Sequence, residues 1–214
     1  MASTLELLSG VLRYFPNTMM VTMTVGGIAL GRIAWVLVAI GAMILSAIIL
    51  TVQYLFNKGI GLMPMPGAAV LDACALIPTI RNAPYFTTPS LWMALTMYFS
   101  LYTVLNAGYI YQANPTRRTK ETIPTQQRKG LGLISIMATV ILFLFLVIPR
   151  FITPCESAMG SVLGLGLGAG FAYLWWKILD ACGSDVFPDI HGVLASLNRG
   201  KLHDAPRACV SKVE

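Results

Sequence analysis

A run of glycines within residues 161–176 has the spacing of a nucleotide-binding motif. Gly164, Gly166 and Ala169 satisfy G-x-G-x-x-A, and Asp189 lies twenty residues beyond Ala169, where a ribose-binding carboxylate is expected. That motif binds a pyrophosphate only where a strand leads through a tight turn into a helix. The preceding residues indicate a Pro-containing turn after an apolar segment, so we predict no nucleotide site.

Cysteine and histidine near the C-terminus are a second set with metal-binding chemistry. The four residues are Cys182, His191, His203 and Cys209. Their separations of 9, 12 and 6 residues match no compact zinc pattern. We therefore predict neither a metal site nor a cofactor.

The composition indicates where these residues lie. Of 214 residues, 56% are hydrophobic and 11% are charged, and the mean hydropathy is +0.71. Four stretches contain no Asp, Glu, Lys or Arg: residues 33–57, 82–116, 130–149 and 157–176. A bilayer core requires roughly 20 apolar residues in a helix, and none of these stretches has the polar stripe of a soluble helix. The chain is predicted to be an all-α, multi-pass membrane protein.

We predict four transmembrane helices, a glycine-rich one being the fourth, and three regions. The spans are residues 33–56, 88–111, 130–148 and 157–176. The regions are an N-terminal segment (1–31), a four-span membrane domain (32–176) and a polar tail (177–214). The spans hold no ionisable residue, which catalysis or coupled transport in a membrane usually requires. An enzyme is therefore not predicted, although the face formed by Thr96, Ser100 and Thr103 permits a passive pore.

Basic residues predict the orientation. Four spans place both termini and residues 112–129 on one side, together with twelve of the fifteen Lys and Arg residues. Basic loops resist translocation, so that side is predicted to be cytosolic. Cys74 and Cys155 fall on the opposite side, where oxidation is permitted, and are candidates for a disulfide.

The N-terminal segment admits several structures. Ser3 and Glu6 form a capping box, and an apolar face predicts a short interfacial helix that ends at Pro16. Residues 17–31 are apolar but short, so they form a re-entrant segment or the first half of one long helix. A further full span is the least favoured option, because it requires a hairpin at residues 31–32.

Gly160, Gly164 and Gly168 are spaced four residues apart and therefore share one helix face. In lipid, helices associate through close backbone approach, which small residues at this spacing permit. We predict that this face packs against another helix, either within the chain or in a second copy of a homo-oligomer.

A basic segment between the second and third spans is the clearest interaction surface. Its residues are Arg117, Arg118, Lys120, Arg128 and Lys129. Anionic lipid headgroups are the favoured partner, and an acidic protein layer or nucleic acid is the alternative. No aromatic residues alternate with the charges, so sequence-specific nucleic-acid binding is not predicted.

The last third of the chain resembles uncharacterised multi-pass proteins of the nucleocytoplasmic large DNA viruses. The resemblance begins at Cys155 and includes the glycine helix, which ends in Tyr173-Leu174-Trp175-Trp176. It continues through Cys182-Gly183, Asp189-Ile190-His191-Gly192 and Pro206 to Val210. It implies a non-enzymatic structural protein of a virion internal membrane, derived from the host endoplasmic reticulum. Such a protein anchors the membrane to capsid or minor capsid proteins. The alternatives are an oligomeric passive pore and an accessory subunit of an organellar membrane complex.

Overall fold

The computed structural model describes residues 4–59, 88–112, 125–152 and 158–182. Five helices contain most of these residues. They are α1 (Thr4–Ala29), α2 (Ile33–Gly59), α3 (Leu91–Gln112), α4 (Thr125–Ile152) and α5 (Ala158–Ala181). No strand occurs within these described ranges. The prediction of an all-helical protein is therefore confirmed for this part of the chain.

Three of these helices are long and apolar enough to cross a membrane. The qualifying segments are Ile33–Leu55 in α2, Lys129–Phe151 in α4 and Ala158–Ala181 in α5. Each helix also carries large apolar side chains on its exposed face, such as Met43 on α2, Ile141 on α4 and Val162 on α5. Apolar surface on this scale is unfavourable in water and matches a lipid environment.

Helix α3 coincides with the second predicted span, but it is not among the three apolar segments. It contacts each of the other four helices, and no residue from 88 to 109 is exposed. Because the other four helices cover α3, polar side chains such as those of Thr96 and Asn106 are buried within the bundle.

The turn between α1 and α2 is a hairpin at residues 31–32, so residues 17–31 are not the first half of one long helix that continues into α2. Gly31 has a φ of 62°, and the N–H of Arg32 donates to the carbonyl oxygen of Gly27 at 2.7 Å. The N–H of Gly31 donates to the carbonyl oxygen of Ile28 at 3.1 Å. These two bonds around a left-handed glycine form a Schellman motif, which ends α1 and reverses the chain.

The prediction that a helix ends at Pro16 is wrong, because α1 continues through Pro16 to Ala29. A proline inside a helix removes one backbone hydrogen bond, but packing against neighbouring helices stabilises such a position. Pro16 is fully buried. The adjacent Phe15 packs against the cluster formed by Trp92, Met93, Leu146 and Val147.

The contacts between helices define two ends of the bundle. One end, which we call the Arg150 end, contains the last turns of α2 and α4 and the first turns of α3 and α5. The hydrogen bond between Gln53 and Pro89 places the last turns of α2 beside the first turn of α3. The Lys177 end contains the opposite ends of these four helices. Because α1 folds back along α2 and Phe15 lies in the cluster near Arg150, the first turns of α1 are directed towards the Arg150 end.

Candidate functional site

The three glycines predicted as a packing face lie on α5 against α3. Gly160, Gly164 and Gly168 are all buried. A Cβ atom added at Gly164 would lie 2.5 Å from the carbonyl oxygen of Ser90, and one added at Gly168 would overlap the carbonyl group of Ala94. The two helix backbones are therefore in direct contact, and the partner of the glycine face is a helix of the same chain.

The start of α3 is fixed by hydrogen bonds to α2 and α5. The N–H of Ser90 donates to the carbonyl oxygen of Gly160 at 2.9 Å, and the side-chain oxygen of Ser90 accepts from the N–H of Met93 at 3.1 Å. The side-chain amide of Gln53 donates to the carbonyl oxygen of Pro89 at 2.6 Å. Ser90 thus caps α3, and α2 and α5 hold the cap in place.

A second contact, centred on Gly41, joins α2, α3 and α5 and was not predicted from the sequence. The hydroxyl of Tyr98 donates to the carbonyl oxygen of Val38 at 2.9 Å. The indole N–H of Trp175 donates to the carbonyl oxygen of Leu37 at 3.1 Å. A Cβ atom added at Gly41 would overlap the Tyr98 hydroxyl and lie 2.6 Å from Nε1 of Trp175. Gly41 therefore leaves the space in which both donors reach the α2 backbone.

Arg150 is the buried basic residue at the Arg150 end. Its side chain is 8% exposed, and its guanidinium carbon lies 4.4 Å from the ring centroid of Trp92, which is itself 2% exposed. A desolvated guanidinium over an indole face forms a strong cation–π contact. In the sequence, Arg150 is one of the three basic residues outside the group of twelve that predicts the cytosolic side. Its contact with Trp92 could not be predicted, because the two residues are distant in sequence.

Replacing Arg150 with methionine is expected to destabilise the bundle by about 2 kcal/mol, because the cation–π contact is lost. Arg150→Lys retains the charge but loses the planar stacking group, and we expect an intermediate loss. Thermal unfolding in detergent, followed by tryptophan fluorescence, measures both variants. A methionine variant as stable as the wild type would contradict this role.

The hydroxyl face predicted as a candidate pore lining lies inside the bundle. Thr96 is fully buried, and Ser100 and Thr103 are partly buried. Thr103 donates to the carbonyl oxygen four residues earlier at 2.8 Å. Four hydroxyl residues elsewhere do the same at 2.7–2.8 Å, namely Thr24, Ser46, Thr51 and Thr139. The buried hydroxyls of Thr96 and Tyr102, in contrast, have no hydrogen-bond partner in the part of the chain that the structure describes.

Tyr102→Phe is expected to leave the free energy of unfolding unchanged or to raise it, because it removes a buried hydroxyl that has no partner. Tyr98→Phe is the matched comparison one turn away, and it should lose about 1 kcal/mol with its bond to Val38. Thermal unfolding of the two variants, side by side, tests the pair. An equal loss in both would contradict the conclusion that the Tyr102 hydroxyl has no partner.

The remaining predicted site residues are placed only in part. Lys129 is exposed on α4, and the backbone of Arg128 belongs to the same helix. Arg117, Arg118, Lys120, Cys74 and Cys155 lie outside the described residues, as do residues 183–214. Cys182 is an exposed free thiol at the end of α5, and the described residues contain no group of three His, Cys, Asp or Glu side chains that would hold a metal ion.

Comparison with known proteins adds no family to these observations. No protein-family model, curated protein or solved structure matches the chain. The resemblance to proteins of large DNA viruses therefore stays a prediction, without support from these comparisons.

Proposed function

We propose that this chain is a non-enzymatic structural membrane protein that anchors a bilayer to a protein layer in a large assembly. The observation that carries the proposal is the enclosure of α3, whose backbone is in contact with α5 and whose first turn is bonded to α2 and α5. Such packing favours a fixed scaffold. The resemblance described above extends the proposal to a virion internal membrane and its capsid-layer proteins.

The same packing favours this role over an oligomeric pore. Both faces on which a pore was considered are occupied within one chain, since Gly164 and Gly168 contact α3 and Thr96 is fully buried. A pore formed by several copies would require these faces to be free. Conductance of the purified protein in a planar bilayer would restore that alternative.

We propose that the Lys177 end faces the cytosol. Arg32, Lys129 and Lys177 lie at this end. The sequence between α3 and α4 also contains Arg117, Arg118 and Lys120. Positively charged segments are retained on the cytosolic side. Because α1 folds back along α2, the first turns of α1 and the last turn of α5 lie at opposite ends of the bundle. We therefore propose that they face opposite sides of the membrane, whereas four spans predicted the same side for both termini.

Crosslinking mass spectrometry on native membranes or particles tests the anchoring role. We expect Lys120, Lys129 and Lys201 to crosslink to soluble shell proteins. Crosslinks found only between copies of this chain would contradict anchoring and would favour self-assembly.

A further inference from the structure

Two lysines at the Lys177 end lie over aromatic rings. The ammonium group of Lys129 is 5.8 Å from the ring centroid of Tyr111. That of Lys177 is 5.1 Å from the ring centroid of Trp176 and 5.9 Å from that of Tyr173. Each lysine is therefore oriented by a ring at the end of the bundle.

The rings connect both lysines to the last turns of α3. Tyr109 meets Trp176 of α5 edge to face, with the ring centroids 6.5 Å apart. Tyr111 lies against α4, where a Cβ atom added at Gly132 would be 3.4 Å from its Cβ. The two lysines accordingly flank the end of α3, one on the α4 side and one on the α5 side.

The position of this cluster along the helices matches the membrane boundary. The apolar segment of α4 begins at Lys129, and that of α5 ends four residues beyond Lys177, at Ala181. Tyrosine and tryptophan rings favour headgroup depth, and lysine extends its ammonium group from an apolar stem into the polar layer. Both charges are therefore expected at the depth of lipid phosphates.

The net charge at this end is positive. Lys129 and Lys177 are exposed, as is Arg32 in the turn between α1 and α2. Asp180, one turn from Lys177, is the acidic residue in the described part of this end. Neither lysine forms an ion pair with another described residue, and both are exposed and accessible to a negatively charged ligand.

We propose that Lys129 and Lys177 bind the phosphate groups of anionic phospholipids, with Tyr111 and Trp176 setting the depth of the two ammonium groups. The site defines the Lys177 end as the face that meets an anionic leaflet. This inference rests on the proposed membrane orientation and is independent of the anchoring to a shell, which the crosslinks decide.

Native mass spectrometry of the full chain in detergent tests the site, with phosphatidylglycerol and phosphatidylcholine as the two probes. Removing both charges in the double variant Lys129→Gln and Lys177→Gln is expected to weaken phosphatidylglycerol binding about thirtyfold. Binding of phosphatidylcholine should not change, and the double variant Lys129→Arg and Lys177→Arg should bind phosphatidylglycerol as the wild type does.

Lys58→Gln is the matched control, because it removes one lysine from the last turn of α2, at the Arg150 end. It should leave phosphatidylglycerol binding unchanged. An equal loss in this control, or full binding by the double glutamine variant, would overturn the proposal. Displacement of the lipid by millimolar glycerol phosphate would also overturn it, because the ligand would then be a soluble phosphate.

Discussion

Gly168→Ala is expected to destabilise the bundle by about 2 kcal/mol or more. The added Cβ atom would overlap the carbonyl group of Ala94, and backbone lies on both sides of the contact. No side-chain rotation relieves the overlap, so α5 and α3 must separate along the glycine face. Since close backbone contact stabilises helix pairs in lipid, the loss should lower the melting temperature in detergent by several degrees.

Gly170→Ala is the matched control on the same helix. Gly170 is exposed, and a Cβ atom added there meets nothing within 4 Å. It lines an open apolar groove between α2 and α5 together with Gly166, Leu45 and Ile48. We expect Gly170→Ala to be neutral or slightly stabilising, because alanine favours a helix over glycine. Equal losses at Gly168 and Gly170 would contradict the packing of α5 on α3.

Gly41→Ala is expected to have an effect of similar size, for a different reason. The new methyl group would occupy the space of the Tyr98 hydroxyl and of Nε1 of Trp175. Both donors would leave the α2 carbonyl groups, and each lost hydrogen bond costs about 1 kcal/mol in addition to the overlap. Thermal unfolding should show a loss of about 2–3 kcal/mol.

Gly108→Ala is the control for this second substitution. A Cβ atom added at Gly108 meets nothing within 4 Å, so the variant should have the same melting temperature as the wild type. The variants Tyr98→Phe and Trp175→Phe separate the contributions of the two hydrogen bonds. If Gly41→Ala has the stability of the wild type, the contact centred on Gly41 does not hold the three helices together.

The sequence is informative about helices that face lipid. Long charge-free segments predicted α2, α4 and α5, because hydrocarbon excludes charge and requires every backbone group to be bonded within the helix. It was less informative about α3. Length and the absence of charge predicted a helix there, but nothing in its residues indicates that four other helices cover it.

The turn after α1 shows where local reading failed. Gly31 follows an apolar helix and carries the left-handed conformation that ends it, which is a recognisable signal for a C-terminal cap. Pro16 predicts a helix end, but the burial of Pro16 and the packing of Phe15 against other helices outweigh the local cost of the proline. That burial depends on residues distant in sequence and cannot be read from the segment itself.

One part of the candidate site could be predicted from the sequence and another part could not. The glycine face was predictable because Gly160, Gly164 and Gly168 repeat at the helical period, although its partner was not. The contact at Gly41 leaves no such pattern, because its acceptors are backbone carbonyl groups, which every residue possesses. Its donors, Tyr98 and Trp175, resemble ordinary aromatic residues of a membrane helix.

Photolabelling from the lipid phase tests the central claim, that α3 is the protein-covered core of a membrane-embedded bundle. A hydrophobic diazirine is activated in proteoliposomes of the full chain, and the modified residues are located by mass spectrometry. We predict labelling on the exposed faces of α2, α4 and α5, including Met43, Ile141 and Val162, and protection of α3 from Met93 to Ala107. Labelling of α3 as strong as that of α4 would contradict the account.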